Sequence, residues 1–527
     1  ETVLDDLADH FYKAENIEKT IKYCDLAGDM AAKNFLNQKA LDFYDHFYEN
    51  LINKAKSIKK RGSEYKILTE GLYEAYFKKA GIYERIGKWD LALENYHESL
   101  KLAEELNERH KTARSLGQLG ILYRMKGDIE KAMEFHKKQL NISEEIEDEK
   151  MKSLAIGNMG VAYFETGHYD KGLDCHRKVL EIYRKLEDKK GIAKALSNIS
   201  NIYLDQGKYE EAISNNEKSL SISAESNDKI GISITLTNLG LIFFYQGKLD
   251  KAMEYLEKSL KINREIGDRR VESEIIKNMG MVNAESGKFG KARICFEQCL
   301  NISEELGDLR IISSALGNLG ILSAFQGDFD KALDYHNRDL AINEKLNDKC
   351  AIAESSGGIG LVYFMKKEYK EALKYLENSI KISKEINYKL NLPLYYYYKT
   401  YSNYELSYLE EAQKNLEKCS ELAEEMQNKD LIFNCSILKK KIDFGLKQDK
   451  ENRLEDVIKP LERSLKAEDI KWKKALYHYE LAFLYRKLHM SEEMNDHKGK
   501  ALNLFKEIFK RTPRAEYKIK INALEEI

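Results

Sequence analysis

Residues able to do chemistry are few in this chain, and their spacing argues against a reaction centre. His136, His176 and His336 share one position in a pattern described below, 40 or 160 residues apart. Histidines so separated do not converge on one helix face, and the plain reading is a packing role. The seven cysteines (Cys24, Cys175, Cys295, Cys299, Cys350, Cys419, Cys435) are odd in number and form no CxxC pair. They outline neither a disulfide framework nor a zinc site. Cys295 and Cys299 lie four apart on one predicted helix face, where a disulfide is disfavoured and no further ligand completes a metal site. Reduced, buried thiols point to a cytoplasmic location. GxxxxGK[ST], GxGxxG after a strand, HExxH and GxSxG are all absent. The expectation is a protein that is not an enzyme and carries no cofactor.

The elements that position these residues follow from composition and period. The 527 residues exceed what one hydrophobic core usually supports, so several domains or a repeat array are required. Hydrophobic residues make up 43% and charged residues 33%, which suits solvated helices with one apolar face each. Only Pro393, Pro460 and Pro513 could interrupt helices, and Pro513 is expected to set off a last one. A net charge of −2 gives no global field toward nucleic acid, and no run of eighteen apolar residues suggests a membrane span. The basic stretch Lys54 to Arg61 reads as a solvated helix end and loop.

Glycine recurs at Gly87, Gly127, Gly167, Gly207, Gly247, Gly287 and Gly327, every step being 40 residues. Lys367 breaks the series, although the surrounding pattern continues. Five residues after each of these positions, Lys367 included, stands a small residue, from Ala92 and Ala132 through Gly172 to Ala372. Such self-similarity marks a repeat architecture. In residues 148–187, Asp148 is expected to cap a helix through Tyr163, Gly167 to end it in the left-handed region, and Tyr169 and Asp170 to open a second helix. Each unit is a helical hairpin whose apolar face the next hairpin covers. Gly120, Gly160, Gly240, Gly280, Gly320 and Gly360 fall mid-helix, where glycine costs about 1 kcal/mol relative to alanine. Their recurrence predicts close helix contact, with residues of the Ala92 register as the matching surface.

The pairs Leu119-Gly120, Leu239-Gly240 and Leu319-Gly320, the aromatics Tyr123, Tyr163, Tyr203 and Tyr363, and the GxxxxA turn resemble the tetratricopeptide repeat. The segment from Leu316 to Asp348 is similar to the 40-residue repeats of the LGN/Pins adaptor group and of regulatory tails in large signalling ATPases and adenylate cyclases. The resemblance implies an all-α, right-handed superhelical solenoid of about 11–13 stacked antiparallel hairpins. It divides the chain into irregular units over 1–74, a regular array over 75–390, and degenerate units with a terminal helix over 391–527.

The resemblance also implies that the first helix of each hairpin lines a concave groove that holds ligand. On those helices an amide precedes each Leu-Gly pair or its equivalent: Gln118, Asn158, Asn198, Asn238, Asn278 and Asn318, with Asn201 nearby. An amide ladder can pair with an extended peptide backbone without demanding a sequence. It can equally bond neighbouring hairpins and serve stacking alone. Gly117, Gly157, Gly317 and Gly357 would leave gaps in the groove, beside Val161, Leu241, Met281, Ile321 and Leu361. Phe164, Phe244 and Phe364 follow one turn later, and Arg124 completes the peptide-binding candidates. Tyr395 to Tyr398 must point to different faces, some packed and some exposed.

These features point to a scaffold that captures protein or peptide segments, or the chain's own flanking sequence, in its groove. One alternative is the sensor module of a larger signalling ATPase or cyclase, for which a chain starting at Glu1 rather than methionine leaves room. Another is a peptide-sensing regulator, although residues 1–50 lack a basic helix-turn-helix.

Overall fold

The computed structural model describes residues 2–14, 16–33, 36–56, 63–386, 388–389, 391–426, 428–446, 454–467, 471–487, 489–511 and 515–527. Pro513 and the basic stretch from residue 57 lie outside them. Twenty-six helices and no strand occur among the described residues, and successive helices pair as antiparallel hairpins. The first helices of the regular hairpins include Arg109–Met125, Glu149–Glu165, Lys189–Asp205 and Lys229–Tyr245. The second helices include Ile129–Glu145, Tyr169–Lys185 and Tyr209–Glu225. Pro393 sits in the first turn of Leu392–Glu405, where its missing N–H is harmless.

The corner inside each hairpin is built as the glycines predict. At Gly127 the amide donates to the Arg124 carbonyl at 2.9 Å, and the Asp128 amide donates to the Tyr123 carbonyl at 2.9 Å. This is the Schellman closure, in which a left-handed residue lets two terminal carbonyls find partners. Asp128 then accepts the Lys131 amide at 3.1 Å and so caps the following helix. The seven glycines of the series have φ between +69° and +81°, and Lys367 makes the same corner at +63°. A second set of corners joins one hairpin to the next. There Asn107, Glu147, Glu187, Asn227 and Asn347 hold φ between +50° and +55°, with Gly267 and Gly307 in the same register. Asp148 caps as expected and Asp188 likewise, whereas the side chain of Asp228 makes no capping bond.

The mid-helix glycines admit large side chains from sixteen residues on. A Cβ on Gly120 would lie 2.4 Å from His136 Cε1, on Gly280 2.5 Å from Phe296, and on Gly360 2.9 Å from Leu376. His176 and His336 lie over Gly160 and Gly320 in the same way. Side chains of this register fill the volume a Cβ would occupy, and the Ala92 register packs there as expected, Ala252 O lying 3.3 Å from a Cβ on Gly240 and Gly160 O 3.3 Å from one on Gly172. Where Ser200 replaces the glycine, the ring becomes Asn216, whose Nδ2 donates to Ser200 Oγ at 2.6 Å.

Hairpins are sewn to their neighbours by a second pairing. A buried polar residue on the second helix meets one on the first helix of the next hairpin, sixteen residues on. Ser99 and Ser115 hydroxyls are 2.9 Å apart, Ser219 and Thr235 3.1 Å, and Ser355 donates to Asp339 at 2.8 Å. Cys419 and Cys435 occupy the same seam with their sulfurs 3.2 Å apart. Each such pair satisfies groups that would be costly to bury alone. All seven cysteines are free thiols.

The described residues form two compact units, the first of 1–278, 298–312 and 342–348, the second of 279–297, 313–341 and 349–527.

Candidate functional site

In the first unit the amides of Gln118, Asn158, Asn198 and Asn238 are half-buried on successive first helices, as is Asn201. Asn278 is more deeply set, 9% exposed. None of these amides makes a side-chain hydrogen bond to the protein among the described residues, so neighbouring hairpins leave their donors and acceptors open. Asn318, in the second unit, differs: its Nδ2 donates to the Ser314 carbonyl at 2.7 Å on its own helix.

Phe164 and Phe244 are half-buried beside this face, their rings against Tyr169 and Tyr245 at 6.1 and 5.3 Å. Arg124 is engaged, its guanidinium bonded to Glu165 one hairpin on. Burial raises the Glu165 carboxyl, which Arg124 partly offsets. Two of the glycines expected to leave gaps are instead filled. A Cβ on Gly117 would meet the Gln139 amide at 2.6 Å, and one on Gly357 would meet the Tyr395 ring at 2.2 Å. Those glycines serve helix contact, because side chains from adjoining helices already occupy the space.

Asp205 ends the helix Lys189–Asp205, in the register that holds Glu165, Glu285 and Glu405 in other hairpins. Asp205 is itself exposed, yet the helices around it strip enough water from its carboxyl to push it up to about 6. Its charge in turn raises Tyr169 and Tyr245, on both of which burial is the larger cause. A raised carboxyl favours the folded state while protonated. The penalty therefore grows from the ordinary range near 4 up to about 6 and is full above it. Asp205→Asn is expected to raise the melting temperature at pH 7.5 but not at pH 4. The gain is at most about 1 kcal/mol, since the carboxyl is partly open to water. Thermal melts at the two pH values check this, and an equal gain at both would exclude ionisation as the cause.

In the second unit Phe364 joins an aromatic strip. Its ring lies 4.9 Å from Tyr398 and 5.3 Å from Tyr401, and Tyr401 continues to Tyr404 at 6.3 Å. Tyr395 and Tyr396 are buried, while Tyr397 and Tyr398 are half-buried, so the four-tyrosine run divides between core and surface. Lys441 enters the strip with its ammonium 5.1 Å from the Tyr401 centroid and 3.1 Å from Glu480. Burial alone would lower Lys441, but Glu480 and the tyrosine hydroxyls outweigh it and hold it well above its ordinary range. The lysine and glutamate are 39 residues apart and belong to no repeated position, which hid them from the sequence.

Among the described residues no group of three His, Cys, Asp or Glu side chains is placed to hold a metal. No helix among them is long and apolar enough to cross a membrane. His136, His176 and His336 are 0–3% exposed and packed on glycine.

Left-handed corners, glycine-to-ring contacts and paired seams define a helical-hairpin repeat protein whose first helices keep a half-exposed polar and aromatic face. The profile of the tetratricopeptide repeat matches residues 72–145, 153–225, 191–265, 231–305, 270–345 and 311–385, and the chain belongs to that family. No curated protein matches the chain. Among solved structures it is similar to a Rap protein complexed with Competence and Sporulation Factor, with 13% identity over 69% of this chain and 99% of that one and a TM-score of 0.48. It is also similar to the apo quorum sensor NprR from B. thuringiensis, with 18% identity, the same coverage and a TM-score of 0.47. A signal-transduction ATPase with a tetratricopeptide repeat sensor from Pyrococcus horikoshii is 15% identical over 70% of this chain and 55% of that one, with a TM-score of 0.43.

Proposed function

We propose that this chain binds a segment of another polypeptide along the first helices of its hairpins, with amides contacting the ligand backbone and phenylalanines its apolar side chains. The observation that carries the reading is the state of Asn158, Asn198 and Asn238. They recur every 40 residues, stand half-exposed, and make no side-chain hydrogen bond among the described residues. A residue kept for stacking would bond across a hairpin, as Ser219 and Thr235 do. Phe164 and Phe244 supply flanking apolar contact, which suits an extended segment with hydrophobic anchors.

The test is binding of the purified chain to an array of random 15-residue peptides, repeated with Asn158→Ala, Asn198→Ala and Asn238→Ala combined. Affinity for the selected peptides is expected to fall at least tenfold, about 1.4 kcal/mol, with helicity by circular dichroism unchanged. Unchanged affinity in a folded triple variant would remove the amides from the binding face.

A further inference from the structure

In the first unit, corners far apart in the sequence meet. Asn37 Nδ2 donates to the Leu306 carbonyl at 3.2 Å, across 269 residues. Arg85 braces that asparagine, donating to the Ala32 carbonyl at 2.7 Å and to Asn37 Oδ1 at 3.3 Å. Beside it, a Cβ on Gly87 would lie 2.1 Å from Leu346 Cδ2 and 3.1 Å from Leu309 Cδ1. The Arg310 guanidinium stands over the Trp89 ring at 5.4 Å, with Nη2 3.5 Å from Met125 Sδ.

Neighbour-to-neighbour stacking accounts for none of this. The register of Leu346 is half-buried or exposed in most hairpins, Leu186 at 39% and Met426 at 37%, whereas Leu346 is 1% exposed and Leu306, at the same junction, 9%. The register of Trp89 is half-buried at Tyr169 and Tyr209 in the same unit, while Trp89 is 2% exposed and Phe289, in the second unit, 7%. The contact is also imperfectly satisfied. Trp89 Nε1 has no acceptor, and Arg310 has no carboxylate at ion-pair distance, among the described residues. Burial lowers the guanidinium of Arg310, which Glu84 and Asp308 partly offset, and that of Arg85, which Tyr44 partly offsets; nearby Arg270 lowers both further. Polar groups buried without full partners weaken the contact that buries them. Apolar closure over a cation that touches no carboxylate directly therefore makes a weakly held junction between helix ends.

We propose that this junction is a separable clasp, joining the first hairpins to the corners at 306–310 and 346, whose opening lets the hairpins between them spread. The inference does not depend on what the first helices bind.

The test substitutes at each clasp position a residue this chain already uses in the same register: Trp89→Tyr as at Tyr169, Arg310→Lys as at Lys150, and Leu346→Ser as at Ser226. Hydrogen exchange at residues 85–90 and 306–312 is expected to accelerate at least tenfold in the triple variant, with exchange over 196–204 and helicity unchanged. The radius of gyration by X-ray scattering is expected to rise. A second comparison is Gly87→Ala against Gly167→Ala. Both glycines sit near φ +74°, but only Gly87 has atoms within 4 Å of its Cβ position. Gly87→Ala alone should reproduce the faster exchange at 306–312. Unchanged exchange there in both the triple variant and Gly87→Ala overturns the proposal. So does loss of helicity throughout the chain in both, which would make the contact integral packing.

Discussion

Lowering the pH from 7.5 to 5 is expected to move the urea midpoint of unfolding markedly downward, and replacing His136, His176 and His336 by leucine to abolish most of that shift. The three rings are 0, 2 and 3% exposed, and burial lowers each imidazole to about 4. An unfolded chain takes up these protons near pH 6.5, while the folded one refuses them until about pH 4. Stability is therefore complete above pH 6.5 and declines as the pH falls toward 4. At pH 5 each histidine forfeits about 2 kcal/mol, about three-fifths of its full effect. Leucine fits the register, since Leu256, Leu376 and Leu416 occupy it in other hairpins and are 0–4% exposed. Neither ring nitrogen of His136 has a hydrogen-bond partner among the described residues, so leucine there also removes two buried polar atoms. If the triple variant loses as much stability between pH 7.5 and 5 as the parent, carboxylates rather than these rings govern the acid limb.

Gly120→Ser is expected to destabilise its hairpin by about 2–3 kcal/mol, and His136→Asn in the same chain to recover at least half of that. The single substitution places a Cβ 2.4 Å from His136 Cε1, in a core where neither helix can retreat without parting from its other neighbour. The double substitution recreates the Ser200 and Asn216 pair, in which the smaller amide makes room and donates a 2.6 Å hydrogen bond. Urea midpoints of the four proteins in the cycle measure the coupling, which should exceed about 1 kcal/mol for residues in contact. Additive effects would show that the glycine position tolerates a side chain by shifting backbone instead.

Much of the fold was legible because one corner type uses one residue type. Gly87 to Gly327 could be read as left-handed helix ends directly. The second corner set was not legible, although its backbone demands are the same. Asn107, Glu147 and Gly267 satisfy them with three different residues, so no letter recurs. The partners of the mid-helix glycines were hidden for a related reason: histidine, phenylalanine, leucine and asparagine all fill the opposing volume. On the candidate site, the amides from Gln118 to Asn318 stood out through repetition. Tyr245, Lys441 and Glu480 did not, because a comparison between units averages away whatever occurs once. The meeting of Asn37 with Leu306 lies beyond any local pattern, since nothing in either segment names the other.

The seams between hairpins have a consequence for how such a chain can be edited by recombination. A hydroxyl on one unit and its partner on the next form a lock and key carried by different units, as Ser99 with Ser115 or Cys419 with Cys435. Exchanging a single hairpin breaks two locks at once, and joining an Asp339-type edge to a Tyr395-type edge would set a ring where the Ser355 hydroxyl now donates. Duplication or loss of blocks whose two outer edges match is the change that leaves every lock closed, so lengthening this protein by engineering should copy neighbours together rather than graft one unit.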